Sequence, residues 1–483
     1  MRDSRWGEQT ADLLRSTSDY ATDFLRGLPD RPVHATVDRD QLRAQLGGPL
    51  PDEPEGAAEV IERLRASEGG LVGIAGPRYF GFVIGGSLPA ALAADWLTST
   101  WDQNAGAYVA GPSASVAEEV AGGWLLELLG LPETAGFGLT TGCQMAHVTC
   151  LAAARHAVLE RAGWDVERLG LSGAPPIRIV IGDEAHATVP AALQYLGLGY
   201  ETPVRVPADS QGRMTLDGLE HVLVEGEPGV PTIVVLQAGN VNPGSFDPLA
   251  GAIRLVRKTA TNAWIHVDGA FGLWAAASEK RRHLLDGYVD ADSWATDGHK
   301  WLNVPYDCGY AIVADSRTHR SAMAPPHAAY IEYGTTERDE FDWVMEYSRR
   351  ARGFATWAAL RSLGRSGVEE LVDRCCEHAL RFAELLGAEA GVEILNDVVL
   401  NQVLVRFGDD DELTREVIRR VQQDGTCWLG GSTWQGRAVM RISVSSWATT
   451  TDDVELSARA ILRCHAAAQS RGSDLPGTPG RQA

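Results

Sequence analysis

The sequence predicts an α/β fold: a doubly wound, mostly parallel sheet followed by a smaller α+β domain. Three observations carry this. Short β-branched runs with no polar alternation, Ile177–Ile181, Thr232–Leu236, Trp264–Val267 and Tyr310–Val313, read as strands buried on both faces. Helical stretches lie between them, at Val148–Ala162, Val189–Leu196 and Leu249–Thr261. From about Gly364 the pattern changes to one long helix and short strands in a different order.

The elements follow in chain order. Ala11–Leu28 is an amphipathic helix stopped by Pro29, Pro49–Pro54 is a loop, and Gly56–Glu68 is a second short helix. Residues 1–80 hold too few apolar positions for a core of their own, so they are expected to pack on a partner subunit. Residues 81–350 carry the alternating segments of the large domain. Residues 351–468 form the small domain, with a helix at Val368–Leu386 and strands at Glu393–Leu395, Asn401–Phe407 and Ala438–Ser443. Helices at Glu412–Gln423 and Thr451–Ala468 complete it. Residues 469–483, rich in Gly, Pro and Ser, read as a disordered tail.

Composition narrows the function. The 483 residues carry a formal net charge of −21, which opposes binding to nucleic acid or an anionic membrane surface. No run of 18 apolar residues suggests a membrane span, and the polar N-terminus does not read as a secretory signal. Seven cysteines without a CxxC pair argue against a disulfide framework or structural zinc, and a cytoplasmic location is expected.

Four motifs carry chemistry. The segment ADSWATDGHKWLNVPYDCG places Lys300 after His299 between two strand-like runs, where it is either a surface lysine or a nucleophile. In HVDGA, Asp268 ends a buried strand, where open α/β sheets bind ligands; a helix-capping aspartate is the other reading. GLTTGCQMAH leads small and hydroxyl residues into a helix, which suits a phosphate held by backbone N–H groups, and it lacks a P-loop lysine. DEAHAT places His186 at another strand end, as a structural or a ring-stacking histidine. A phosphate cradle, a stacking histidine, a strand-end acid and a lysine together are what pyridoxal 5'-phosphate requires.

With these motifs in place, the chain resembles the group II pyridoxal-phosphate-dependent amino-acid decarboxylases, such as the aromatic-amino-acid, glutamate and tyrosine decarboxylases. GHKW between ADS and DCG looks like the family's lysine signature, HVDGAFG like its HVDAA(Y/F) segment, and GPRYFGFV like its HPRFFGF segment. The resemblance spans roughly Leu71 to Ala468 and implies fold type I, the aspartate-aminotransferase-like fold with a seven-stranded large-domain sheet. It implies a homodimer with active sites at the subunit interface.

It also implies roles. Lys300 would carry the cofactor as a Schiff base, with His299 beside it. Asp268 would pair with the pyridine nitrogen, Ala270 would pack on the ring, and His186 would stack on its other face. Gly142, Cys143 and Gln144 would line the phosphate, with Thr296 or Asp297. Many relatives read TSGGTEAN where this chain reads TTGCQMAH, which puts side-chain contacts by Cys143 and Gln144 in question. Tyr330 matches a mobile-loop tyrosine that delivers a proton after carbon dioxide leaves, with Tyr333 as the alternative. Tyr79, Phe80, Trp101, Tyr108 and Arg441 would contact substrate. No metal is implied. The expected reaction is decarboxylation of an L-amino acid, aromatic or bulky apolar first, to an amine and carbon dioxide. The alternatives are an aldehyde synthase, a carbon–carbon lyase, a glutamate or aliphatic decarboxylase, an aminotransferase, and a non-catalytic homologue.

Overall fold

The computed structural model describes residues 7–326 and 337–472. Three helices open it: α1 (Glu8–Gly27), α2 (Arg39–Leu46) and α3 (Ala57–Ala66). None of the three buries a residue fully. Next come α4 (Pro89–Trp101) and α5 (Pro112–Leu128), each with proline at a first-turn position where a missing N–H costs nothing.

The large sheet is then laid down by β1 (Gly136–Thr140), α6 (Cys143–Arg161), α7 (Val166–Leu169), β2 (Arg178–Gly182), α8 (Thr188–Tyr195) and β3 (Val204–Val206). It continues with α9 (Leu216–Val224), β4 (Thr232–Gln237), α10 (Leu249–Thr259), β5 (Ala263–Asp268), β6 (Ser293–Asp297), β7 (Gly309–Val313) and α11 (Ser316–Met323). The strand order is β1-β7-β6-β5-β4-β2-β3, with seven strands. All neighbours pair parallel except β7, which runs antiparallel to both β1 and β6.

Every residue of β4 and of β5 is buried, because helices cover both faces. Val234, Leu236, Ile265 and Val267 face one layer of the core, and Ile233, Val235 and Trp264 face the other, with α6 and α8. The alternation therefore sends Trp264, His266 and Asp268 of β5 toward α6. Ser293, Ala295 and Asp297 of β6 point the same way, in register His266 to Ser293 and Asp268 to Ala295.

The long helix α12 (Gly353–Gly387) kinks at Gly364, whose φ of +60° is open to glycine but strained for other residues. It leads to β8 (Val392–Ile394), β9 (Gln402–Phe407), α13 (Asp411–Asp424), β10 (Gly430–Trp434), β11 (Arg437–Ser443) and α14 (Thr451–Gly472). Their four-stranded antiparallel sheet has the order β10-β11-β9-β8. Helix α14 continues through Gly472, into the stretch expected to be a tail; residues 473–483 lie outside the described residues. No helix among the described residues is long and apolar enough to cross a membrane, and the seven cysteines are all buried and unpaired.

Candidate active site

The site forms where the carboxyl ends of β5 and β6 meet the N-terminus of α6. Helix α6 starts at Gly142 without a side-chain cap, so its first N–H groups depend on what lies in front of them. Asp297, the last residue of β6, takes the first: its Oδ1 accepts the Cys143 N–H at 2.6 Å. The N–H groups of Gln144 and Met145 have no acceptor among the described residues. Strand β7 passes directly beneath. A Cβ on Gly309 would come within 2.4 Å of the Gly142 carbonyl carbon, so only glycine lets strand and helix approach this closely.

Lys300 closes the floor. Its Nζ lies 3.0 Å from Asp297 Oδ2, and His299 Nε2 lies 3.4 Å from Asp297 Oδ1. Burial, the largest single influence, pulls the Lys300 ammonium down, but Asp297 together with Cys143 and Asp268 outweighs it and the net shift is upward. His299 accepts the Cys308 N–H on Nδ1, which leaves the proton on Nε2, facing Asp297. Its ring stacks on Tyr306 at 4.3 Å.

Asp268 lies deeper and is almost fully buried. Its Oδ1 accepts the Ala270 N–H at 3.1 Å and sits 3.5 Å from His147 Nε2, while Oδ2 has no hydrogen-bond partner among the described residues. Burial would raise this carboxyl. The neighbouring His147 and His186, the Ala270 N–H and Lys300 offset that, and the net shift is downward, toward a carboxylate. His186 sits before α8 with Nδ1 against the Thr188 hydroxyl at 2.8 Å, and burial holds it below its ordinary value.

The structure thus brings Lys300, His299, Asp297, Asp268, Ala270, His186, Gly142 and Cys143 together; Gln144 is half-buried on the first turn of α6. Thr296 departs from the expectation. It alternates to the opposite face of β6 from Asp297, and its hydroxyl donates to the Ala270 carbonyl at 3.4 Å. Asp297, not Thr296, reaches the helix terminus. Phe80 is also displaced from its expected place: it is buried in the main core, edge-on to Phe382 at 5.0 Å. Trp101 packs on Phe354, and the Tyr108 N–H donates to Asp339; neither touches the Lys300 cluster within this chain. Tyr330 and Tyr333 lie outside the described residues.

Trp428 had no individual signal in the sequence. Tyr79 stacks on Trp428 at 5.0 Å, and the exposed Phe82 leans on the same indole at 5.5 Å. Phe82 and Val83 both adopt positive φ, +53° and +60°, which reverses which aromatic of the run points inward. This segment runs against the Lys300 backbone, where a Cβ on Gly85 would meet the Lys300 carbonyl at 2.0 Å. Arg441, on β11, has no ion-pair or hydrogen-bond partner among the described residues, and burial alone lowers it. It is close enough to His186 to depress that imidazole.

These groups fit pyridoxal phosphate. A carboxylate already sits in the anion position on the α6 terminus, Asp268 keeps one oxygen free, and the Lys300 amine lies 3.0 Å from the Asp297 carboxylate.

Comparison with known proteins gives the same picture. The model of the pyridoxal-dependent decarboxylase conserved domain matches residues 40–407. An aromatic-L-amino-acid decarboxylase of Bacillus atrophaeus is 26% identical over 92% of this chain and 93% of its own length. A 4-hydroxyphenylacetaldehyde synthase of Rhodiola rosea is 26% identical over 86% of each chain. In fold, the chain is similar to Oryza sativa TDC solved with PLP and tryptamine, with a TM-score of 0.89 and 23% identity over 97% of this chain and 99% of that one. Mouse CSAD superposes with a TM-score of 0.87 and 23% identity over 95% and 98%. The chain belongs to the pyridoxal-dependent decarboxylase family, enzymes that use pyridoxal phosphate to remove a carboxyl group from amino acids.

Proposed function

We propose that this enzyme decarboxylates an L-amino acid with an aromatic or bulky apolar side chain, giving the amine and carbon dioxide. The observation that carries the reading is a half-buried Arg441, without a partner among the described residues and within electrostatic reach of His186, together with an aromatic cluster of Tyr79, Phe82 and Trp428. A partly buried cation without a partner is costly and suits an anionic ligand. The aromatic cluster supplies apolar area.

In this reading Lys300, Asp268, His186 and His299 hold the cofactor, and Asp297 with the N–H groups of Gln144 and Met145 shapes its phosphate end. The bound cofactor supplies a ring that accepts the electron pair left at Cα when carbon dioxide departs. Arg441 binds the substrate carboxylate and orients that bond. The aromatic cluster keeps water from the carboxylate, which favours loss of a neutral product. Tyr330 donates the proton to Cα as general acid. A proton delivered there yields an amine, whereas its failure opens the route to an aldehyde, the product named for the Rhodiola relative.

A homodimer fits the same surface. Helix α1 leaves Leu14 and Leu25 exposed, and a groove of about 780 Å³ runs between α1, α4 and Trp447. Trp96, Leu97, Trp101 and Val109 continue the exposed apolar face.

The test is a panel of amino acids offered to purified protein with added pyridoxal phosphate, reading amine, carbon dioxide, aldehyde and peroxide. Amine and carbon dioxide in equal amounts from an aromatic or bulky apolar amino acid is the expected result. Aldehyde with peroxide would overturn the decarboxylase outcome, and turnover of glutamate alone would overturn the substrate class.

A further inference from the structure

Behind Asp268 runs a buried chain of hydrogen-bonding groups. Trp264 Nε1 donates to Ser293 Oγ at 2.9 Å, Ser293 Oγ meets His266 Nδ1 at 2.9 Å, and His266 Nε2 meets His147 Nδ1 at 2.9 Å. His147 Nε2 then faces Asp268 Oδ1 at 3.5 Å, with Cys143 Sγ also at 3.5 Å. Trp264, His266, Ser293 and His147 are all essentially sealed from solvent.

The arrangement follows from three periodicities. Trp264, His266 and Asp268 alternate onto one face of β5. Ser293 is the register partner of His266 on β6. His147 lies one helical turn after Cys143, so it looks down on β5 from the terminus of α6.

The Asp268 end sets the direction of the protons along the chain, and the Trp264 end accommodates it. An indole N–H can only donate, so Ser293 Oγ accepts it and is free to donate to His266 Nδ1. In that direction the His266 proton is on Nε2, pointing at His147 Nδ1, and the His147 proton is on Nε2, pointing at Asp268. The reverse polarity would turn the His147 Nε2 lone pair toward an anionic carboxylate. Both imidazoles are neutral in this arrangement, in keeping with burial holding His147 below its ordinary value and taking His266 to about 3. The other charged and titratable groups around His147 are Asp297, Lys300, His186 and Cys143.

We propose that His147 is a positioning residue for Asp268, its Nε2–H oriented by the Trp264–Ser293–His266 chain so that Oδ1 is occupied and Oδ2 is presented to the pyridine nitrogen of the cofactor. The proposal rests on the reading that Asp268 pairs with that nitrogen. The histidine supplies the donor, and the chain behind it supports that tautomer. A neutral donor on one oxygen leaves the carboxylate ionised while restricting its rotation.

The experiment loads the wild-type protein and two variants with ¹⁵N-pyridoxal phosphate. It reads the pyridine nitrogen resonance against pH, together with the cofactor dissociation constant and the thermal stability of the apoprotein. Gln in place of His147 sets an N–H close to the position of Nε2, whereas Asn reaches only as far as Nδ1. The expected result is a protonated pyridine nitrogen in wild type, a nearly unchanged one in His147→Gln, and a fall in its pKa of one unit or more in His147→Asn. A fall of one unit is a tenfold drop in the ratio of protonated to unprotonated nitrogen at a given pH.

A wild-type nitrogen without a proton would defeat the underlying assignment of Asp268. A protonated wild-type nitrogen with no change in His147→Asn would defeat the role of His147 alone. Equal losses in both variants, tracking a drop in apoprotein stability, would reduce His147 to a packing residue and overturn the proposal. Cys143, His147 and Asp268 also converge within 4.8 Å as a set of metal-ligand types. Stoichiometric zinc in the purified protein would place His147 on a metal and likewise overturn it.

Discussion

Asp297 holds two positions at once: it occupies the first N–H of α6, and it pairs with Lys300. Replacing it with asparagine keeps the shape and removes the charge. At 3.0 Å and an effective dielectric constant of about 20, the Lys300–Asp297 attraction is at most about 5.5 kcal/mol. Opposite charges at this range shift a pKa by about one to three units. With the carboxylate gone, burial is left as the largest influence on Lys300, so its pKa should fall by about that amount, from above its ordinary value to below it.

The sign for stability follows. A lysine raised in the folded state stabilises the protein below its unfolded pKa and loses that contribution as pH rises through the folded value. Asp297→Asn therefore loses stability at neutral pH, by about 1.4 kcal/mol for each unit of the fall. The assay is direct, because the chain has only three lysines, Lys258, Lys280 and Lys300. Lysine labelled at Cε gives three titration curves in the apoprotein, and the one missing from Lys300→Met identifies Lys300. A Lys300 midpoint unchanged or higher in Asp297→Asn would refute the electrostatic account.

Three further outcomes follow from the same structure. Arg441→Met should raise KM for the amino acid at least tenfold with a smaller change in kcat, because a charged hydrogen bond of about 1.5–3 kcal/mol is lost in binding; an unchanged KM would remove Arg441 from the substrate site. Arg349 and Glu118 form an ion pair at 2.7 Å with both side chains 1% exposed. Arg349→Met should cost about 3–5 kcal/mol in urea unfolding, and adding Glu118→Gln should recover part of it, since the penalty comes from the orphaned carboxylate. His319 is buried with Nε2 on the Trp343 carbonyl and a pKa pushed down to about 3. The unfolded chain then binds one more proton than the native one between pH 6.5 and 3, so stability falls as pH drops through that window, by about 1.4 kcal/mol per unit. His319→Gln should flatten that acid slope by one proton in pH-dependent denaturation.

What was legible in the sequence follows burial. Strands β2, β4, β5 and β7 are apolar runs because helices cover both faces, and hydrophobicity alone reveals them. Strand β6, SWATD, was hidden because Ser293, Thr296 and Asp297 are polar although all five of its residues are buried, so the strand lacks an apolar signature. Strand β3 has three residues and β10 reads GGSTW, both too short or too polar to show. Gly364 marked a change of pattern, but helix α12 runs from Gly353 across it with a kink.

At the site, Lys300, Asp268 and His186 were legible because each follows or ends a strand inside a recognisable motif. Thr296 and Asp297 were not separable until the pleat of β6 assigned them to opposite faces. Phe80 and Phe82 were not separable either, because the positive φ values at Phe82 and Val83 break the alternation that a reader would assume. His147 and His266 both stand inside quoted motifs, GLTTGCQMAH and HVDGA, but their meeting depends on α6 packing across β5, a contact 119 residues apart in the chain.

The account turns on Lys300 as the anchor of the cofactor. Borohydride fixation of bound pyridoxal phosphate, followed by peptide mapping, asks which of the three lysines carries the pyridoxyl group. The account predicts one group per chain, on Lys300, and none in Lys300→Ala. Attachment to Lys258 or Lys280, or stoichiometric labelling that survives the loss of Lys300, would contradict it.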